Sequence, residues 1–260
     1  MSLTVDWIAA HALVLWATLL LLALLVGDSA WRRSAQLRVA ALAGHREAAV
    51  MRWRTGVVLI AVMAVLFGSI AFAVGVGAPG ALAGFDSSLA EQLRAQLPLP
   101  ALRIIAMLTV LGGTAWVASA ATLVLLALLL CRQWALACVW ATAQLGIMPL
   151  TYEIKALVER PRPWHDHGFI TEAGWSFPSG HALGSMVFYG MLAYVMLRLL
   201  PMRWHRAVIA ATVLLVGMIG ISRILLQVHY FSDVIAGYAC GLIWLLLCIG
   251  AAEGIRLRRA

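Results

Sequence analysis

Residues 178–200 read PSGHALGSMVFYGMLAYVMLRLL, a polar Pro-Ser-Gly-His turn that runs straight into an apolar stretch. From His181 to Leu200 that stretch is the right length for one helix to cross a bilayer core of roughly 30 Å. A helix start offers unpaired N–H groups and the positive end of the peptide dipole to an anion. Fold and chemistry therefore meet at one point, a membrane span whose outer end can receive a negative group. Taken alone, the turn also reads as an ordinary N-cap by Ser179.

The composition on either side agrees. The chain has 260 residues, is 63% hydrophobic and only 12% charged, and has a mean hydropathy of +0.95. That is not the make-up of a soluble domain. Apolar runs near Trp7–Gly27, Gly56–Ala78, Leu108–Cys131, Trp134–Leu150, His181–Leu200, Ala207–Ile221 and Val234–Ala252 predict seven spans, with six or eight the neighbouring counts. The run from Ile104 to Cys131 exceeds what one span needs, and Ala207–Ile221 is short. The expected fold is all-α, a polytopic integral membrane helix bundle. Before the first run stands Asp6 and no Lys or Arg, while Arg32 and Arg33 follow it. It therefore reads as a retained span with its N-terminus outside, with signal cleavage near Ala30 the minor alternative. Cys131, Cys138, Cys240 and Cys248 all sit in or beside apolar runs and read as small core residues, not a disulfide framework or metal set.

The net charge of +8 is carried by eighteen arginines and one lysine, Lys155. Seven spans with the N-terminus outside place thirteen of those cations inside: six in the first loop, Arg132, then Arg198, Arg203 and Arg206, then Arg256, Arg258 and Arg259. The basic excess is thus a topology signal, and no nucleic-acid partner is expected. Arg94, Arg103, Lys155, Arg160, Arg162 and Arg223 fall on the outer side. Residues 28–55, Arg-rich with interleaved apolar residues, read as an interfacial helix or a solvated linker. In the first outer loop, residues 79–103, Ser88-x-x-Glu91 reads as a capping box opening a short helix through Leu97, ended by Pro98 and Pro100.

Residues 152–180 and 222–233 are the other outer loops, so three polar segments share one face. In the last of them, Ser222-Arg223-x5-His229-x3-Asp233, the histidine and aspartate are four residues apart. On a helix they would share a face, letting Asp233 accept from Nδ1–H and leave Nε2 as nucleophile or base. The bland alternative is a pair that caps the seventh span. Arg223 offers a forked donor matched to phosphoryl oxygens. His181 is placed to protonate a leaving oxygen. Lys155 and Arg162 add charge where equatorial oxygens gain electron density, or else snorkel at the headgroup boundary. Glu159, Arg160 and Glu172 read as loop charges, as do His165, Asp166 and His167, which lie beside the site. Trp164, Trp175 and Phe177 fit an aromatic belt.

The set Lys155-x6-Arg162-Pro163, Pro178-Ser179-Gly180-His181 and Ser222-Arg223-x5-His229-x3-Asp233 resembles the type 2 phosphatidic acid phosphatase superfamily, matching its three motifs at every defining position. The resemblance covers residues 155–233. It implies a six-span phosphatase core over 56–260, with 1–55 as an extra N-terminal span and cytoplasmic loop. It implies His229 as a nucleophile forming a phosphohistidine, Asp233 orienting it, and His181 as the acid. Lys155, Arg162, Ser179, Gly180 and Arg223 would cradle the phosphoryl group. No metal or other cofactor is called for, and the implied partners are the bilayer and a phosphorylated membrane lipid. Undecaprenyl pyrophosphate, phosphatidylglycerol phosphate, phosphatidic acid and lipid A phosphates are the candidates, the first favoured. The arginine-over-lysine bias with Ala and Leu richness suggests a bacterial inner membrane, the site facing the periplasm. Two rival classes share some of these features, a vanadate-dependent haloperoxidase and a non-catalytic lipid-binding or transport protein. The many spans disfavour the former, and a carboxylate-oriented histidine disfavours the latter. Oligomeric state and the role of the first span are left open.

Overall fold

The computed structural model describes residues 2–43, 53–75, 80–165, 167–170 and 172–259. Every regular element among them is helical: α1 (Ser2–Ala10), α2 (Ala12–Ala43), α3 (Trp53–Gly75), α4 (Ala81–Gln96), α5 (Leu99–Thr109), α6 (Thr114–Leu130), α7 (Trp134–Val158), α8 (Gly180–Leu199), α9 (His205–Leu225) and α10 (Phe231–Arg259). Seven segments are long and apolar enough to span a bilayer: Ala12–Ser29, Arg54–Gly75, Leu99–Leu130, Trp134–Val158, Gly180–Leu199, Met202–Leu225 and Phe231–Arg256. The expected count and fold class hold. Several boundaries move.

The fourth span does not stop at Leu150 but runs through Pro149 to Val158, ending where Glu159 takes a left-handed conformation and donates its N–H to Lys155 O at 3.0 Å. Lys155 is thus held on helix rather than loop. Ser222 and Arg223 lie in the last turn of α9 and Asp233 in the first turn of α10, so the outer link between them is only 226–230. α4 begins at Ala81, seven residues before the expected capping box. Ser88 is mid-helix because Phe85, Leu89 and Leu93 form an i, i+4, i+8 stripe that packs with Val5 and Ala9 of α1. The Arg-rich segment continues α2 as helix to Ala43. Its remainder, 44–52, and Asp166 lie outside the described residues.

The overlong third run resolves into two helices. α5 ends at Thr109, and after a single tight turn at Val110–Gly112 the chain re-enters helix at Thr114. Such a break at membrane depth frees backbone groups that must find partners. Tyr189 OH donates to Leu111 O at 2.9 Å and supplies one.

The bundle centre is α8, packed between α9 and α10. α8 and α10 approach closely because glycines line their contact. A Cβ on Gly237 would come within 2.8 Å of Ser179 O, and one on Gly241 within 2.9 Å of Leu183 O. Trp140, Phe188, Met191, Ile219 and Leu245 fill the core beside them. Buried polar tips are spent on backbone carbonyls: Trp140 Nε1 donates to Ala121 O and Trp244 Nε1 to Ala143 O, both at 3.0 Å. α3 is apolar all round, exposing Val57, Val65 and Phe72, as a helix facing lipid tails must. The close α8–α10 crossing sets the two helix starts side by side, and Ser179 N–H donates to Asp233 O at 3.0 Å.

Candidate active site

Three helix ends and one loop converge at this rim. Lys155 rises from the last turn of α7, Arg223 from the last turn of α9, and His181 from the first turn of α8. The loop 159–179 crosses between them and brings Arg162. Lys155 Nζ donates to Trp175 O. Arg162 donates to Gly174 O at 3.0 Å and to Val228 O at 2.9 Å. Arg223 is wholly buried and donates to Thr109 Oγ1 at 3.2 Å and to the Glu172 carboxylate. Its Nε has no partner among the described residues, which leaves a buried donor ready for an anion.

His229 lies on the α9–α10 link, before α10 begins, so its pairing with Asp233 is made across a turn and not along a helix face. Arg162 donates to His229 Nε2 at 3.1 Å, which makes Nε2 the acceptor and puts the ring proton on Nδ1. Nδ1 faces Ser176 Oγ at 3.4 Å and Asp233 Oδ2 at 3.6 Å. The expected direct hydrogen bond to Asp233 is therefore stretched to a 3.6 Å approach, with the Ser176 hydroxyl donating to the same Asp233 oxygen. Burial first, with Arg162 and Arg223 added, outweighs the pull of Asp233 and pushes His229 down to about 4. An imidazole kept neutral, with Nε2 as lone-pair face, is a nucleophile in waiting.

Ser179 is buried and its Oγ accepts from Ala182 N at 3.5 Å, so it serves as the N-cap of α8. The other early donors, Gly180 and His181, line a cavity of about 530 Å3 together with Lys155, Arg162, Glu172 and His229. A side chain at Gly180 would meet only Thr151, at 4.0 Å, so there is open space at this turn. The cavity continues as an apolar groove between α6 and α7 past Val117, Ala121, Leu125, Leu145 and Met148. Leu145 and Met148 are exposed on the bundle surface, 75% and 65%, so the groove opens toward the membrane.

Residues 133–255 of the chain match the model of the PAP2 superfamily. Over that stretch the chain is similar to the PAP2 superfamily. Among curated proteins it is 33% identical over 106 residues to phosphatidylglycerophosphatase B of Bacillus subtilis, covering 40% of this chain and 51% of that one. It is 36% identical over 97 residues to lipid A 1-phosphatase of Rhizobium johnstonii, covering 34% and 36%. The matched stretch thus spans about half or less of each curated relative's length. The bundle also superposes on the crystal structure of a transmembrane PAP2-type phosphatidylglycerolphosphate phosphatase from Bacillus subtilis. The TM-score is 0.68 at 23% identity, over 75% of this chain and 96% of that one. At that identity the likeness speaks for the fold.

Three residues at this site were not marked by the sequence pattern. Arg160, read as a loop charge, is buried and bonded to Asp233 Oδ1 at 2.6 Å and to Asp86 Oδ2 at 2.8 Å. Burial opposes its charge, but Asp233 and Asp86 more than offset this and its pKa is raised. Glu172, also read as a loop charge, sits in the cavity against Arg223, 3.9 Å from His181 Nδ1. Burial pulls its carboxyl up, yet Arg223 and His181 outweigh that and hold it low. Ser176 wedges between His229 and Asp233. The one available signal was the second Arg-Pro pair, Arg160-Pro161, two residues before the motif pair. His167 is a structural loop residue instead, its Nε2 on Leu226 O at 2.8 Å.

Proposed function

We propose that the chain is a membrane lipid phosphatase that cuts a phosphomonoester or pyrophosphate through a phosphohistidine at His229. The observation that carries this is a cavity in which two histidines, Lys155 and Arg162 meet a groove open to lipid, with Arg223 held just behind it against Glu172. The headgroup phosphate sits against Lys155, Arg162, Arg223 and the N–H groups of Gly180 and His181, with Ser179 shaping the turn. His229 Nε2 attacks phosphorus as the bond to the leaving oxygen breaks, and His181 delivers a proton to that oxygen. Asp233 supports the positive charge that the phosphorylated ring acquires. Water, deprotonated by His181, then attacks phosphorus, breaks the P–N bond and frees phosphate. The acyl or prenyl chains lie in the α6–α7 groove.

The relatives named above act on phosphatidylglycerophosphate and lipid A by their names, and both are lipids with a phosphoryl headgroup. Undecaprenyl pyrophosphate remains our favoured substrate, with phosphatidylglycerol phosphate and phosphatidic acid as the alternatives. The arginine distribution supports a bacterial inner membrane with this rim facing the periplasm. Residues 56–260 would form the catalytic unit, with 1–55 an accessory span. Phosphate release from a panel of these lipids by purified protein, beside His229→Ala, tests the reading and ranks the substrates. Release lost in the variant supports it. Lipid binding without release from any lipid, in folded wild-type protein, favours the binding or transport class.

A further inference from the structure

We propose that Arg160 and Asp86 are positioning residues for this reaction, holding Asp233 so that its second oxygen stays turned to His229. The inference rests on the phosphatase reading above. Asp233 is gripped on both oxygens. Oδ1 takes the Arg160 NH1 donor at 2.6 Å, while Oδ2 takes the Ser176 hydroxyl and the Tyr230 N–H at 2.9 Å. Arg160 is itself over-determined. NH1 also donates to Ser232 Oγ at 2.8 Å, NH2 donates to Asp86 Oδ2 at 2.8 Å, and the guanidinium lies 4.2 Å from the Tyr230 ring centroid. Asp86 closes the set by accepting from Ser232 N at 3.2 Å and from the Ser232 hydroxyl.

The side chains of Asp86, Arg160, Ser232 and Asp233 are all buried, Asp86 at 1% and Arg160 at 8% exposure. Burying two carboxylates around one guanidinium is costly unless each is paired and bonded, and here each is. The trio carries a net charge of one negative unit beside the His229 ring. That surplus matches the charge the ring gains when Nε2 bonds to phosphorus and Nδ1 keeps its proton. Removing Arg160 would leave Asp233 and Asp86 as unbridged like charges, and Asp233 would turn or take up a proton. Asp86 stands on α4, outside residues 133–255 that match the family model. An outer-loop helix thus supplies part of the support for the catalytic pair.

A double-mutant cycle separates positioning from mere stability. Full-length protein in detergent is assayed for kcat and KM on dioctanoyl phosphatidic acid, with Arg160→Met, Arg160→Lys and Asp86→Asn each made alone and with Asp233→Asn. Arg160→Met alone should lower kcat roughly 100-fold, the order of loss from a misplaced catalytic group, with KM little changed. In the Asp233→Asn background the same change should cost less than about threefold, and Arg160→Lys should recover part of the loss. Orthovanadate, as a phosphate mimic, should still raise the melting temperature of the single variants, which shows the pocket intact. Equal losses in both backgrounds, a loss confined to KM, or loss of the vanadate shift would overturn positioning. No release by wild-type protein from this or the panel lipids would instead remove the phosphatase reading, and the proposal with it.

Discussion

His229 shows how much a residue's surroundings decide. Its spacing from Asp233 was visible in the sequence, but its location before α10 and the Ser176 hydroxyl beside it were not. Only the neutral ring can attack, and its pKa is held down at about 4. Its share of the acid limb of kcat/KM should therefore fall near pH 4, well below the ordinary histidine value of about 6.5. Activity should persist through pH 5; a single limb centred near 6.5 that survives correction for substrate ionisation would contradict this. Glu172 gives a second test. Its carboxylate competes with an incoming anion for Arg223, so Glu172→Gln should tighten vanadate binding roughly three- to tenfold by isothermal titration. Weaker binding would show that it assists the anion. Arg160, Glu172 and Ser176 escaped the sequence reading for one reason. Each acts through partners fifty or more positions away, and short-range spacing carries no trace of that.

At the scale of elements, apolar length predicted the crossings well and their ends poorly. α7 and α9 run further than hydropathy alone suggests, α9 because its last turn is buried with Ser222, Arg223 and Leu225, and α7 until the left-handed Glu159 ends it, and both keep Lys155 and Arg223 in helical register. The break between α5 and α6 was hidden inside a continuous apolar run, where only Gly112-Gly113 marked it. That break is part of the site wall. A Cβ at Gly112 would lie 2.3 Å from Ile219 Cγ2 and 3.2 Å from His181 Cδ2. Gly112→Ala should cost about 1–3 kcal/mol of stability by overpacking and slow turnover by crowding His181. Ile219→Ala in the same chain should restore both the melting temperature and much of kcat. Failure of that rescue would mean that Gly112 matters for its backbone and not for space.

Across the whole molecule, the bundle places a polar rim above an apolar groove. Seven apolar spans and one motif-bearing rim were legible from sequence because they follow from transfer energies and chain alternation. The groove was not, since it depends on how α6 leans from α7 and on which small residues face the gap. Ala121 lies in that gap. Ala121→Trp should lower kcat/KM for a long-chain phosphatidic acid by about tenfold or more while leaving a soluble aryl phosphate unaffected. Equal losses on both would place the lipid chains elsewhere.

Whether His229 carries the phosphoryl group is decided by rapid quench in base after mixing with lipid labelled with 32P in its headgroup. A phosphohistidine there gives a base-stable, acid-labile label on the wild-type protein, mapped to the peptide containing His229, and none on His229→Ala. Phosphate release without that label, persisting in His229→Ala, would contradict it.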